Sequence, residues 1–151
     1  MRITSPAFGN AAPIPLAHSI DGAGTLPPLQ FHDVPAGTVS LALVSHDPDV
    51  PRDRRPDGNF DHWVVWDLPP GCGGIGDESD HRGRVGVNTR GENTWVPCAP
   101  PPGSGIHRYF FTLYALDTML GLPPTAGRPE VEAAMVGHVL DSAQLMGTYE
   151  R

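Results

Sequence analysis

Lysine is missing from this chain. All ten basic residues are arginine, so Schiff-base and lysine general-base chemistry is excluded. Positive charge is scarce as well. The formal net charge of −7 argues against general nucleic-acid binding, which needs a basic face to neutralise phosphates. Long apolar runs are lacking: no stretch approaches the roughly 20 residues of a membrane-spanning helix. Neither a signal peptide nor a transmembrane anchor is expected, and a cytoplasmic location is the default. Cysteine is limited to Cys72 and Cys98, with no CxxC and no Cys/His finger spacing. In a cytosolic protein both are expected to be free thiols. A disulfide between them stays open, because both lie in loops and spacing alone does not reveal their separation.

What the chain does hold is 18 prolines and 18 glycines with 39% apolar residues. The Pro and Gly recur between apolar runs, which predicts one loop-rich, mainly β domain over residues 1–151. Residues 39–45 are apolar on both faces, as in a central sandwich strand. A Pro-, Asp- and Arg-rich loop over 46–61 leads to a second core strand from His62 to Leu68, rich in β-branched and aromatic residues. Residues 106–116 form a third, with His107, Tyr109, Phe111, Leu113 and Ala115 on one face and Arg108, Phe110, Thr112 and Tyr114 on the other. Leu29–His32 reads as a short strand, and 71–105 as an irregular excursion with fragments such as Val85-Gly86-Val87. Only the tail looks helical. Pro129 suits the first helical position, and Ala133, Val136, Leu140 and Ala143 make an apolar stripe. Gly137 inside it suggests close packing on the sheet, and Gly147 fits the stop position.

Chemistry concentrates at the ends of these strands. Asp47 and Asp49 alternate in Asp-Pro-Asp-Val-Pro, a turn in which Asp bonds nearby backbone N–H groups and Pro fixes φ. The two prolines also stiffen the loop, which lowers the entropy cost of holding a ligand. His62 and His107 each stand where a loop enters a strand. With Asp47 or Asp49 they could bind an anion, if one imidazole is protonated. They could also hold a metal, or act as a general acid/base pair on a small organic substrate, with His62, His107 and Asp47 as the catalytic set. Metal is disfavoured by the absence of short ligand spacing. Cys98 is a nucleophile only if a histidine activates it, and a buried inert thiol is the commoner case. Arg52, Arg54 and Arg55 beside Asp53 and Asp57 read as a solvated mixed-charge loop or, more sharply, as a contact for an anionic partner such as a phospholipid surface.

These segments resemble the phosphatidylethanolamine-binding protein family, in its bacterial and archaeal Raf-kinase-inhibitor-like branch. Asp47-Pro48-Asp49-Val50-Pro51 is similar to its D-P-D-A-P, and His62-Trp63-Val64-Val65-Trp66-Asp67-Leu68-Pro69 to its H-W-V-V-x-N-I-P. Pro100-Pro101-Pro102-Gly103-Ser104-Gly105-Ile106-His107-Arg108-Tyr109 is similar to P-P-x-G-x-G-x-H-R-Y. The resemblance implies a β-sandwich of antiparallel sheets with one C-terminal helix packed on it and a small anion pocket at one end. On the matching positions Asp47, Asp49, His62, Pro100, Pro101, His107 and Tyr109 would line that pocket. His62 and His107 would donate to a small anion or phospholipid head group, and Asp47 or Asp49 would orient them. No metal or organic cofactor is implied. Some family members inhibit kinases or proteases, which here would use the 46–61 loop, and bacterial members are often homodimers. The chain departs from the pattern at Trp95-Val96-Pro97-Cys98-Ala99, where the family carries glycines. Pro97 removes a backbone donor and Ala99 resists a positive φ, so any specialisation is expected there. Asp67 in place of Asn is expected to matter little.

Overall fold

In the computed structural model, which describes residues 1–80 and 82–151, the apolar stretch after Val39 becomes the middle of a sheet. Strand β4 (Ser40–Asp47) is hydrogen-bonded on both sides, and its residues 40–45 are all buried. Before it come β1 (Arg2–Thr4), β2 (Ala12–Pro13), a 3₁₀ turn over Leu16–His18, and β3 (Leu29–His32). After it come β5 (Phe60–Leu68), β6 (Gly74–Ile75), β7 (Arg84–Val85), β8 (His107–Leu116), helix α1 (Arg128–Met135) and β9 (Val139–Tyr149). Six strands form one sheet in the order β2-β9-β8-β4-β5-β7, and three form a second in the order β1-β3-β6. Among the described residues all pairs of named strands are antiparallel except β2 on β9, which is parallel.

Alternation assigns each side chain to a layer. Leu41 and Leu43 of β4, Trp63 and Val65 of β5, and Tyr109, Phe111, Leu113 and Ala115 of β8 face the small sheet. There they pack with Ile3, Leu29, Phe31 and Ile75. Ala42, Val44, Val64 and Trp66 face the other way and pack with Val131 and Met135 of α1. The fold is therefore the expected mainly β sandwich with a single helix laid on its outer face.

The tail is half helix and half strand. The expected helix runs from Arg128, with Pro129 in its first turn and the Glu130 carboxylate accepting from the Gly127 N–H at 2.9 Å. It stops at Met135 instead of reaching Gly147. Gly137 then takes φ 80° with nothing packed where a Cβ would sit, so it serves a turn and not a close approach. From Val139 the chain pairs with β8 along nearly its whole length, His107 opposite Tyr149 through Leu116 opposite Val139. The apolar stripe was not a buried helical face: Val136 is 77% and Leu140 46% exposed. Pairing wins because β8 would otherwise present an open edge, and ten residues of unpaired N–H and C=O groups outweigh weak helical periodicity. Gly147 sits inside β9, where a Cβ would lie 2.4 Å from the Ile14 side chain.

Candidate functional site

Where β4, β5 and β8 reach the same end of the sheet, their last side chains meet. Asp47 closes β4, His62 lies near the start of β5 and His107 opens β8; all three are buried. Alternation alone would place His62 with Val64 and Trp66 on the helix side. A β-bulge prevents this. Ser45 pairs with Trp63 while His46 pairs with Asp61, so His62 is an extra residue in β5. Such a bulge re-aims a side chain without shifting the rest of the strand. His62 turns inward, its ring 5.3 Å from Tyr109, 5.7 Å from Trp95 and 4.7 Å from Phe60, centroid to centroid.

The Asp47-Pro48-Asp49 turn has both of its expected characters at once. Asp47 Oδ1 accepts the Asp49 N–H at 2.7 Å, a local turn bond, while Oδ2 takes His107 Nδ1 at 2.7 Å. Burial pushes the Asp47 carboxyl above its ordinary value, and the hydrogen bond from His107 opposes that push. His107 Nε2 lies 2.9 Å from Ser104 Oγ, whose hydroxyl also lies 2.6 Å from the Pro101 carbonyl. Both nitrogens of His107 are thus engaged by the protein. His62 Nδ1 is held by the Val96 carbonyl at 2.7 Å, and burial lowers its pKa to about 4.

A pocket of about 230 Å³ opens over these groups, lined among others by Asp47, His62, Pro100, Pro101, His107 and Tyr109. Of the seven candidate residues only Asp49 lies outside its lining. Its carboxylate receives the Arg108 backbone N–H at 2.9 Å and a two-pronged guanidinium contact at 2.9 and 2.8 Å. That contact holds Asp49 below the usual carboxylate range. Asp49 therefore locks the loop to β8, and Asp47 alone of the pair orients a histidine. The Tyr109 hydroxyl is buried without a well-formed hydrogen bond; the Ala99 N–H influences it from outside good geometry.

Three arginines complete the lining: Arg54, Arg55 and Arg90. Arg55 is tied to the Asn59 carbonyl at 2.6 Å. The side chains of Arg54 and Arg90 form no hydrogen bond or ion pair among the described residues, and both are exposed. Arg52 points elsewhere, onto the Pro56 carbonyl. Arg54 and Arg55 belong to the charged loop expected from the sequence, whereas Arg90 stands in no motif of its own. Its one signal is the Asn88 turn, in which the Asn88 side chain accepts the Arg90 and Glu92 N–H groups at 2.8 and 3.2 Å.

The 95–99 departure settles into the wall. Pro97 and Ala99 both line the pocket. Ala99 is not among the residues with positive φ, so its backbone carries no strain from lacking glycine. Cys98 lies beneath, fully buried and free; burial, with Asp47 nearby, drives its thiol far upward and away from nucleophilic use. Cys72 is also free. Among the described residues no three His, Cys, Asp or Glu side chains gather as a metal site would need. No helix of those residues is long and apolar enough to cross a membrane.

The phosphatidylethanolamine-binding protein family profile matches residues 4–150. The UPF0098 protein of Chlamydia muridarum is 42% identical over the whole chain and 99% of its own length. That of Methanothermobacter thermautotrophicus is 40% identical over the whole chain and 99% of its own. A Mycobacterium tuberculosis protein named as a lipoprotein is 38% identical, over 99% of this chain and 72% of that one. Among solved structures, a phosphatidylethanolamine-binding protein homologue of Chlamydia trachomatis superposes with a TM-score of 0.95 at 41% identity, over 99% of this chain and 97% of that one. Escherichia coli YbcL shares the fold, with a TM-score of 0.88 at 22% identity over 99% and 98% of the two chains.

Proposed function

This chain belongs to the phosphatidylethanolamine-binding protein family, and on that premise we propose that it binds a small phosphate-bearing anion, a lipid head group or a free phosphate compound, in the pocket at the end of β4, β5 and β8. The observation that carries the reading is the pair of unengaged guanidiniums, Arg54 and Arg90, on the lining of that pocket. They place two unpaired positive charges at one cavity, beside Arg55, which pairs with Asp57 at 3.4 Å, in a chain of net charge −7. Guanidinium is the group best matched to phosphate oxygens. The size agrees: about 230 Å³ is below the roughly 300–1,000 Å³ of pockets for drug-sized ligands. Pro97, Ala99, Pro100 and Pro101 give it stiff walls, which keeps the entropy cost of binding low.

An acid/base enzyme would use His62, His107 and Asp47, and His107 has both of its nitrogens already engaged by Asp47 and Ser104. The Ser104 hydroxyl is directed to the Pro101 carbonyl, so it serves to hold the loop against His107, and binding remains the reading we favour.

Titration with phosphate and phosphorylethanolamine, followed by calorimetry and by the histidine ring resonances, tests the proposal. Binding in the millimolar range or tighter with shifts at His62 and His107 is expected. Arg54→Ala and Arg90→Ala should each weaken it about tenfold, the loss of one charge-assisted contact of ~1.4 kcal/mol. Rings that stay still at millimolar ligand would dismiss it.

A further inference from the structure

The two histidines of the pocket differ in what they can offer. His62 Nδ1 lies 2.7 Å from the Val96 carbonyl oxygen. A carbonyl only accepts, so Nδ1 carries the hydrogen and the other nitrogen of the neutral ring is a bare lone pair. Nε2 has no hydrogen-bond partner among the described residues, and it is not closed off from solvent although the residue is buried. It is the part of the ring open to the pocket that His62 lines.

A second proton on that ring would need a carboxylate to hold it, and the two carboxylates nearby are engaged elsewhere. Around His62 stand Asp61 on its own strand, His46 and Asp47 on β4, His107 and Tyr109 on β8, and Arg54, Arg55 and Arg90 on the loops. Asp61 turns to Arg128 and Asn59, at 3.2 and 2.9 Å. Asp47 has one oxygen on the Asp49 N–H and the other on His107. Arg90 and His46 both disfavour an imidazolium, and burial disfavours it most, which is why the ring titrates only near 4.

We propose that the pocket selects anions that bring their own acidic proton, hydrogen phosphate and phosphomonoesters, and discriminates against sulfate and phosphodiesters, because His62 can only accept. The inference rests on the anion-binding reading above and narrows its ligand class. An oxygen without hydrogen set against Nε2 meets lone pair with lone pair, whereas a P–OH donates and completes the ring's hydrogen bonding. The arginines attract either kind of anion, so affinity and selectivity reside in different residues.

Calorimetric titration of the intact chain at pH 6 with phosphate, sulfate, phosphorylethanolamine and glycerophosphorylethanolamine separates the outcomes. Phosphate and the monoester should bind, and sulfate and the diester should be about tenfold or more weaker, the size of leaving one buried partner unmatched. From pH 5.5 to 8 the monoester should weaken, since it sheds its proton near about 6. Inorganic phosphate should hold better, because its dianion keeps one O–H. In His62→Gln the side-chain amide can turn its NH₂ to the anion, so sulfate should approach phosphate. Equal binding of sulfate and phosphate by the native chain would overturn the inference while leaving anion binding in place. A diester that matched the monoester would overturn it too, by making the head-group amine the donor to Nε2. No binding by any of the four would bring down the anion reading itself.

Discussion

Strands β5 and β8 flank β4 on opposite sides and each delivers one histidine to the same pocket, yet they do so by opposite means. β8 keeps an unbroken register with β4 from His46–Phe110 to Ser40–Leu116. His107 reaches the pocket simply as the first of five inward residues, and arrives with both ring nitrogens engaged. β5 slips against β4 twice, once at His62 and once between Leu41 and Leu43. Its histidine reaches the pocket by being the extra residue, and one nitrogen stays open. A regular strand fixes the ring that is fully engaged, and an irregularity supplies the ring that keeps one nitrogen open.

The sharpest way to separate the two strands is to shorten each by one residue. Deleting Phe110 shifts every residue on one side of the gap to the opposite face. Either His107 and Tyr109 or Phe111, Leu113 and Ala115 would leave the buried layer. Exposing several such side chains at ~2 kcal/mol apiece approaches the whole stability of a domain, about 5–15 kcal/mol. No soluble cooperative unfolding transition is expected.

The buried ring of His62 also ties stability to pH. His62 protonates near 6.5 in the unfolded chain but only near 4 in the folded one. Between those values the unfolded state binds more protons, so stability is full above about 6.5 and falls as the pH drops toward 4. The loss is on the order of 3 kcal/mol for a ring this buried. His46, lowered to about 4 on the helix side of the sheet but less enclosed, adds to the same slope. Asp47, raised by burial, has the opposite sign and is easiest to keep folded at low pH. Urea midpoints at pH 7.5, 5.5 and 4.5 should fall in that order, and His62→Gln should flatten the series. A midpoint that rose toward acid would mean His62 is not a buried neutral ring.

Deleting His62 should do far less than deleting Phe110. The bulge residue is surplus: with it gone, Phe60 and Trp63 remain inward and Asp61 outward, in an ordinary ladder. The chain should fold, weakened by about 1–3 kcal/mol for the orphaned Val96 carbonyl and the lost ring contacts. It should lose its preference for phosphate over sulfate. Near-equal damage from the two deletions would break the contrast between the strands.

How much could be read from residues alone follows the same division. β8 was legible face by face, because period two is a local property and nothing interrupts it. The inward turn of His62 was not, since a bulge depends on what the neighbouring strand does. Its place at the head of the strand marks His62 as a candidate, and the resemblance of His62-Trp63-Val64-Val65 to a family segment adds the pocket. The tail failed for a related reason. Ala133, Val136, Leu140 and Ala143 have helical spacing, but the open edge of β8, distant in sequence, claimed residues from Val139 onward. Asp47, His107, Pro100 and Pro101 were visible from their motifs. Arg90 was not, because an arginine in a Gly- and Asn-rich turn looks like any solvated residue until the fold brings it to the pocket.

The second slip in β5 allows the gentlest test. Asp67 occupies it with φ 55°, a left-handed conformation that Asn and Asp tolerate better than other side chains. Its two carboxylate oxygens accept the Leu120 and Gly121 N–H groups at 2.7 and 3.0 Å. Asp67→Asn keeps the backbone preference and one acceptor, but sets an NH₂ against the second N–H. Because Gly121 is exposed, water can take over that N–H. The expected cost is about 1 kcal/mol or less, with pocket affinity unchanged, read from urea midpoints and phosphate titration in parallel. A loss as large as that from deleting His62 would mean that the carboxylate charge, and not the bulge backbone, holds this end of β5 in place.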